Sequence, residues 1–153
     1  MTEPLQDAAE VQAQALAELA GRTMYERDPA TRSLGIALVE IRPGYARMSM
    51  TVRPAMLNGH QSCHGGYIFL LADSAFAFAC NSYNLVTVGA GCSIDYVAPG
   101  RLGDVLFAEG VEQVVAGKTG VYDITVRNQD GRIIALFRGK SHRVAGVVAS
   151  ADA

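Results

Sequence analysis

Tyr67-Ile68-Phe69-Leu70-Leu71-Ala72-Asp73-Ser74-Ala75-Phe76-Ala77-Phe78-Ala79-Cys80 decides the fold. The run is rich in Ala and Leu and too long for a typical strand, so it reads as a helix. It is apolar on every side, and a helix of that kind is a buried one. Asp73 is the only side chain between Tyr67 and Asn81 that is charged at neutral pH. An unpaired buried carboxylate costs several kcal/mol or is driven to protonate. Either Ser74, a backbone donor or water at the helix end satisfies it, or the cost is tolerated because the carboxylate acts on something.

Upstream, Gly65-Gly66 opens this helix. A helix start offers free N–H groups and partial positive charge, and glycine lets a ligand approach closely. An oxygen gaining negative charge would be stabilised there. Gly65 and Asp73 are eight positions apart, about 12 Å at ~1.5 Å per residue. Both cannot lie beside one reacting carbonyl within one chain. Two antiparallel helices across a two-fold axis would bring Gly65 of one copy to Asp73 of the other.

Further upstream, the loop from Pro54 to Gly66 is polar and irregular. Asn58-Gly59 is a turn dipeptide, although an asparagine amide can also hold water or a carbonyl group. His60 and His64 flank Cys63, which leaves open a zinc site or a thiol nucleophile; no carboxylate completes the ligand set and no helix aligns the histidines. Gly35–Arg42 and Tyr45–Arg53 read as a hairpin around Arg42-Pro43-Gly44. Residues 5–27 form an amphipathic helix ended by Asp28-Pro29.

Downstream the chain is β: Val86–Val97, Val105–Val115, Val121–Arg127 and Arg132–Val144, joined by turns in the pattern of an antiparallel meander. On the last strand, alternation puts Arg138, Lys140 and His142 on one face with Arg143 nearby, a strip that suits phosphates or simply protects an edge. Five or six antiparallel strands and one helix without a polar side predict an α+β domain, the sheet wrapped around the helix. Residues 1–33 are an extra N-terminal helix and connector, 34–146 the domain, and 147–153 a frayed tail.

The composition sets outer bounds. At 153 residues the chain makes one domain. Half of it is apolar and only 18% is charged, so some apolar surface is expected to be hidden against a second copy. A net charge of −2 gives no basic field for nucleic acid or for an anionic membrane surface. Three irregularly spaced cysteines and an N-terminus without a positive region point to the cytoplasm. Asp73 interrupts the longest apolar run, so no membrane span is expected.

Met56-Leu57-Asn58-Gly59-His60-Gln61-Ser62-Cys63-His64-Gly65-Gly66, Leu71-Ala72-Asp73 and Ala79-Cys80-Asn81-Ser82 together resemble the hot-dog-fold acyl-CoA thioesterases, most closely their phenylacetate-pathway branch. Lys118-Thr119-Gly120-Val121-Tyr122-Asp123 and Ala135–Arg143 match as well, so the likeness runs from about Met24 to Gly146. The resemblance implies a homodimer that forms the active site, assembled further into a homotetramer. The Gly65 N–H would polarise the thioester carbonyl. Asp73 of the partner would be base or nucleophile, and Asn58 would hold the water or the thioester. His64, Gly66 and Ser74 would line the substrate site, and Arg138, Lys140 and Arg143 are the candidates for the CoA phosphates. No metal and no cofactor are implied, since CoA enters with the substrate, phenylacetyl-CoA or a ring-hydroxylated relative. Two other activities suit the same fold: silent acyl-CoA binding, and hydration of enoyl-CoA. The second usually uses a histidine beside the acid, and none lies between Tyr67 and Asn81.

Overall fold

The computed structural model describes residues 3–150. A helix, α1 (Glu3–Glu26), and a short one, α2 (Pro29–Ser33), precede the strands β1 (Ala37–Arg42) and β2 (Tyr45–Thr51). A 3-10 turn at Pro54–Met56 leads to α3 (Gly65–Cys80), followed by β3 (Leu85–Tyr96), β4 (Val105–Ala116), β5 (Thr119–Arg127) and β6 (Ile133–Val147). All six strands form one antiparallel sheet in the order β1-β2-β4-β5-β6-β3.

The sheet curls around α3. Ile68, Leu71, Ala72, Ala75, Phe76, Phe78 and Ala79 of the helix are buried against Met48, Met50, Leu106, Ala108, Tyr122, Ile124, Val126 and Phe137 of the strands. Glycines set how closely helix and sheet approach. A Cβ at Gly139 would lie 2.7 Å from the Phe76 ring, and one at Gly110 would lie 3.1 Å from the Ala75 carbonyl oxygen.

The expected meander holds only for β4-β5-β6. β3 does not pair with β4; it crosses to the far side of β6, and β4 sits beside β2. The segment between them, read as a turn, is a tether. The Gly100 carbonyl accepts from Cys63 N–H, Gly103 N–H donates to the Val52 carbonyl, and the Asp104 carboxylate accepts from Arg101 N–H and Gln129 Nε2. These bonds tie it to the loop before α3 and to the end of β2, not into a two-strand turn.

α1 lies along β1. Ala17 and Ala20 are fully buried, and Gly21 approaches Leu38 and Ile41 so closely that a Cβ would sit at 3.0–3.1 Å. Gln14 Nε2 donates to the Ile41 carbonyl at 2.8 Å, so the helix covers that sheet edge. Asp28-Pro29, read only as a terminator, also starts α2: Asp28 Oδ1 accepts from Thr31 N–H at 3.0 Å, with proline in the first turn. Part of the tail expected to fray is held. Val147 pairs with Leu85, and the amide and carbonyl of Ala149 exchange two hydrogen bonds with the buried Asn84 side chain. Residues 151–153 of that tail, and residues 1–2, lie outside the described residues. Among the described residues no helix is long and apolar enough to cross a membrane.

Candidate active site

The start of α3 is built by the loop before it. Asn58 Oδ1 accepts from His60 N–H at 2.9 Å, from Ser62 N–H at 3.2 Å and from the Ser62 hydroxyl at 3.2 Å. The turn reading of Asn58 is therefore correct for its oxygen. Its Nδ2 donates to nothing among the described residues, which leaves a donor beside the helix start. Gln61 takes the left-handed conformation, φ 59°, that closes this turn.

His64 caps the helix. Its Nδ1 accepts from Gly66 N–H at 2.9 Å, and its carbonyl accepts from Tyr67 N–H at 3.0 Å and Ile68 N–H at 3.4 Å. Gly65 N–H is the remaining donor of the first turn, without an acceptor among the described residues. Gly65 also carries a ring against it. Tyr96 Oη donates to the Gly65 carbonyl at 3.0 Å, and a Cβ on Gly65 would lie 3.1 Å from Tyr96 Cζ. Asn58, Gly65, Ile68, Tyr96 and Val97 line one depression of about 430 Å³.

Asp73 is not in that depression. The helix expected to be buried all round has an open stripe, Gly66, Phe69, Leu70, Asp73 and Ala77, at helical spacing. On it Gly66 and Asp73 are exposed and the rest half-buried. The sheet covers the other faces and leaves this one bare in the single chain. Apolar neighbours crowd one side of the Asp73 carboxyl, and burial raises its pKa above the ordinary 3.8. It makes no hydrogen bond or ion pair among the described residues.

A two-fold axis between Phe69 and Leu70 would set residue 66 opposite residue 73. The β3 edge is uncovered: among the described residues β3 pairs only with β6, and the strand is long, carries Asp95 as its single charge and is exposed over most of its length.

Other expected site residues are engaged in contacts of their own. The Gly66 N–H and the His64 Nδ1 are used on each other. Ser74 is buried, about 100° round the helix from Asp73, donating to the Leu70 carbonyl at 2.8 Å and lying 3.3 Å from the Thr31 hydroxyl. Arg138, Lys140 and Arg143 do not form one strip. Arg138 and Lys140 are on the outer face, and Arg138 is already paired with Asp123 through Nε–Oδ1 at 2.6 Å and Nη2–Oδ2 at 2.8 Å. That fork holds the Asp123 carboxyl below its usual range. Arg143 belongs to the inward series of Phe137, Gly139 and Ser141 and reaches a different cavity. The Cys63 thiol is buried and pushed up to about 11, first by burial and then by the Asp104 charge, which removes its nucleophilic form. His60, Cys63 and His64 do not converge on a metal position among the described residues.

Two features went unread in the sequence. Tyr96 ends a strand thirty-one residues from Gly65, and no local spacing links the two. Glu112 was detectable: it follows Leu106, Ala108 and Gly110 in the inward series of β4, where a carboxylate is out of place.

Residues 60–135 match the thioesterase superfamily. The chain is 50% identical over 125 residues to the acyl-coenzyme A thioesterase PaaI of Escherichia coli, covering 82% of this chain and 89% of that protein. The structure of the E. coli PaaI protein from the phenylacetic acid degradation operon superposes with a TM-score of 0.86 at 48% identity, over 88% of this chain and 97% of that one. A variant of the phenylacetic acid degradation protein PaaI from Thermus thermophilus gives 0.74 at 35%, over 76% and 100%. A hypothetical thioesterase protein from Streptococcus pneumoniae, solved with coenzyme A, gives 0.70 at 28%, over 73% and 90%. The sheet wrapped on α3, the free amide at its start and this likeness over most of both chains place the protein in the thioesterase superfamily, as a hot-dog-fold enzyme of the PaaI acyl-CoA thioesterase type.

Proposed function

We propose that the enzyme hydrolyses acyl-CoA thioesters of aromatic acids, phenylacetyl-CoA or its ring-hydroxylated relatives, to free acid and CoA in the cytoplasm, at a site shared between two copies. One observation carries the shared site: the free Gly65 N–H and the Asp73 carboxyl sit about 12 Å apart along one rigid helix, and Asp73 lies on a face the chain leaves open. A self-paired α3 stripe, with β3 pairing edge to edge, joins them across the two-fold. The S. pneumoniae relative solved with coenzyme A supports the CoA ester, and the E. coli relative's operon supports the aromatic acid.

The chemistry follows from the groups. Gly65 N–H receives the carbonyl oxygen as it becomes an oxyanion. The partner's Asp73 takes a proton from water, and the hydroxide oxygen bonds to the carbonyl carbon. The C–S bond then breaks, and the CoA thiolate leaves with the proton held on Asp73. Direct attack by the carboxylate would use the same placement and give an anhydride that water opens. Asn58 Nδ2, which has no acceptor among the described residues, would hold the water or the ester. Two such dimers assemble into a homotetramer, which light scattering measures.

Asp73→Asn tests the proposal, with thiol release followed by a trapping dye. Turnover falls by about 10²–10⁴ while folding and CoA affinity persist. A near-normal kcat removes the carboxylate from the mechanism.

A further inference from the structure

A second cavity, about 260 Å³, lies at the other end of α3. Cys80, Tyr122, Gly120 and Ser141 form its buried floor, and the exposed Lys118 and Arg143 stand at its rim. Glu112 projects into it from β4. Its Oε2 accepts from Tyr83 Oη at 3.0 Å and from Tyr122 Oη at 2.9 Å. Its Oε1 has no partner, and neither Lys118 nor Arg143 pairs with it among the described residues. The two tyrosines hold a carboxylate with one oxygen free for a ligand. Burial and Glu112 together hold the Tyr83 hydroxyl protonated, its pKa pushed up to about 12.

The cavity's place relative to the proposed site follows from two periodicities. Cys80 is seven residues beyond Asp73, two turns on and on the same helix face, about 10 Å along the axis. In addition, antiparallel pairing of two β3 strands about their centre sets Leu85, a cavity residue, opposite the partner's Tyr96, which packs on Gly65. The cavity therefore opens beside the composite site, within reach of an acyl group and well short of the long pantetheine arm. A dry cavity of ~150 Å³ holds a benzene ring, so this one has room for one substituted ring. A phosphate deep in it would meet the Glu112 charge.

We infer that this cavity receives the far end of the acyl group, and that Glu112 reads a hydroxyl there by accepting its hydrogen bond on Oε1. The inference rests on the thioesterase reading above and adds to it a specificity-determining residue.

The test compares kcat/KM for phenylacetyl-CoA and 4-hydroxyphenylacetyl-CoA in wild type, Glu112→Gln and Tyr83→Phe. Wild type prefers the hydroxylated ester, and Glu112→Gln lowers that preference about tenfold, the difference between a charged and a neutral acceptor. Tyr83→Phe, at an exposed ring, moves the same ratio less and serves if the Glu112 variant does not fold. An unchanged ratio, or an equal loss on both esters, overturns the inference and leaves thioester hydrolysis standing. So does a weaker inhibition by free CoA in Lys118→Ala or Arg143→Ala with the acyl ratio intact, which would make the cavity a phosphate site. Wild type that cleaves neither ester fails the thioesterase reading itself.

Discussion

Gly65→Ala separates the chemistry of the helix start from its stability. The new Cβ would meet Tyr96 Cζ at 3.1 Å and Cε1 and Oη at 3.3 Å, so either the ring or the helix start gives by a few tenths of an ångström. If the Tyr96–Gly65 hydrogen bond is lost, folding loses about 0.5–1.5 kcal/mol. Alanine in place of glycine in a helix returns up to about 1 kcal/mol. The net change in stability is therefore within about 1 kcal/mol, a shift in Tm of only a few degrees. Catalysis has no such offset. A misplacement of about 1 Å costs on the order of 10² in rate, and loss of an oxyanion donor costs about 10²–10³. We predict that kcat for an acyl-CoA falls ten- to hundredfold, on the order expected for a displaced donor, while the melting curve stays nearly in place. Gly66→Ala perturbs stability instead: its Cβ would press on the exposed His64 ring at 3.1 Å and disturb a cap, a loss of about 0.5–2 kcal/mol. A Gly65→Ala enzyme with normal kcat would show that some other group binds the oxyanion.

Two further outcomes follow from the same geometry. Because burial raises the Asp73 pKa and the base must be deprotonated, kcat/KM falls with decreasing pH through a midpoint above the ordinary carboxylate value of 3.8; a pH–rate profile that stays flat down to that value contradicts the assignment. Gly139→Ala places a Cβ 2.7–2.8 Å from three atoms of the Phe76 ring and destabilises the domain by about 1–3 kcal/mol in urea unfolding; an unchanged midpoint would mean that α3 shifts freely on the sheet.

The central helix, the first hairpin and the number of strands were legible because hydrophobic period and turn residues are local. The position of β3 was not. Alternation says which residues share a face, but it does not say which neighbour a strand takes, and here the bonds around Gly100, Gly103 and Asp104 redirect the chain. The same limit split the basic strip: Arg138, Lys140 and His142 share the outer face as their spacing implies, but adjacent Arg143 must point the other way. Asp73 stood out by composition alone. What composition could not say is that the helix face bearing it stays uncovered, since that depends on where the curled sheet ends. The fate of the first N–H groups was equally hidden, because His64 spends its ring on Gly66 and leaves Gly65 free.

Mixing two crippled variants tests the shared site most directly. Asp73→Asn and Gly65→Ala chains are co-expressed in equal amounts, and thiol release is measured on the assembled mixture. A mixed dimer pairs one chain's intact Gly65 with the other's intact Asp73 at one of its two sites. Random assembly makes about half of the dimers mixed, so about a quarter of wild-type turnover returns. If both groups served one site within a single chain, the mixture would be no more active than the average of its parents.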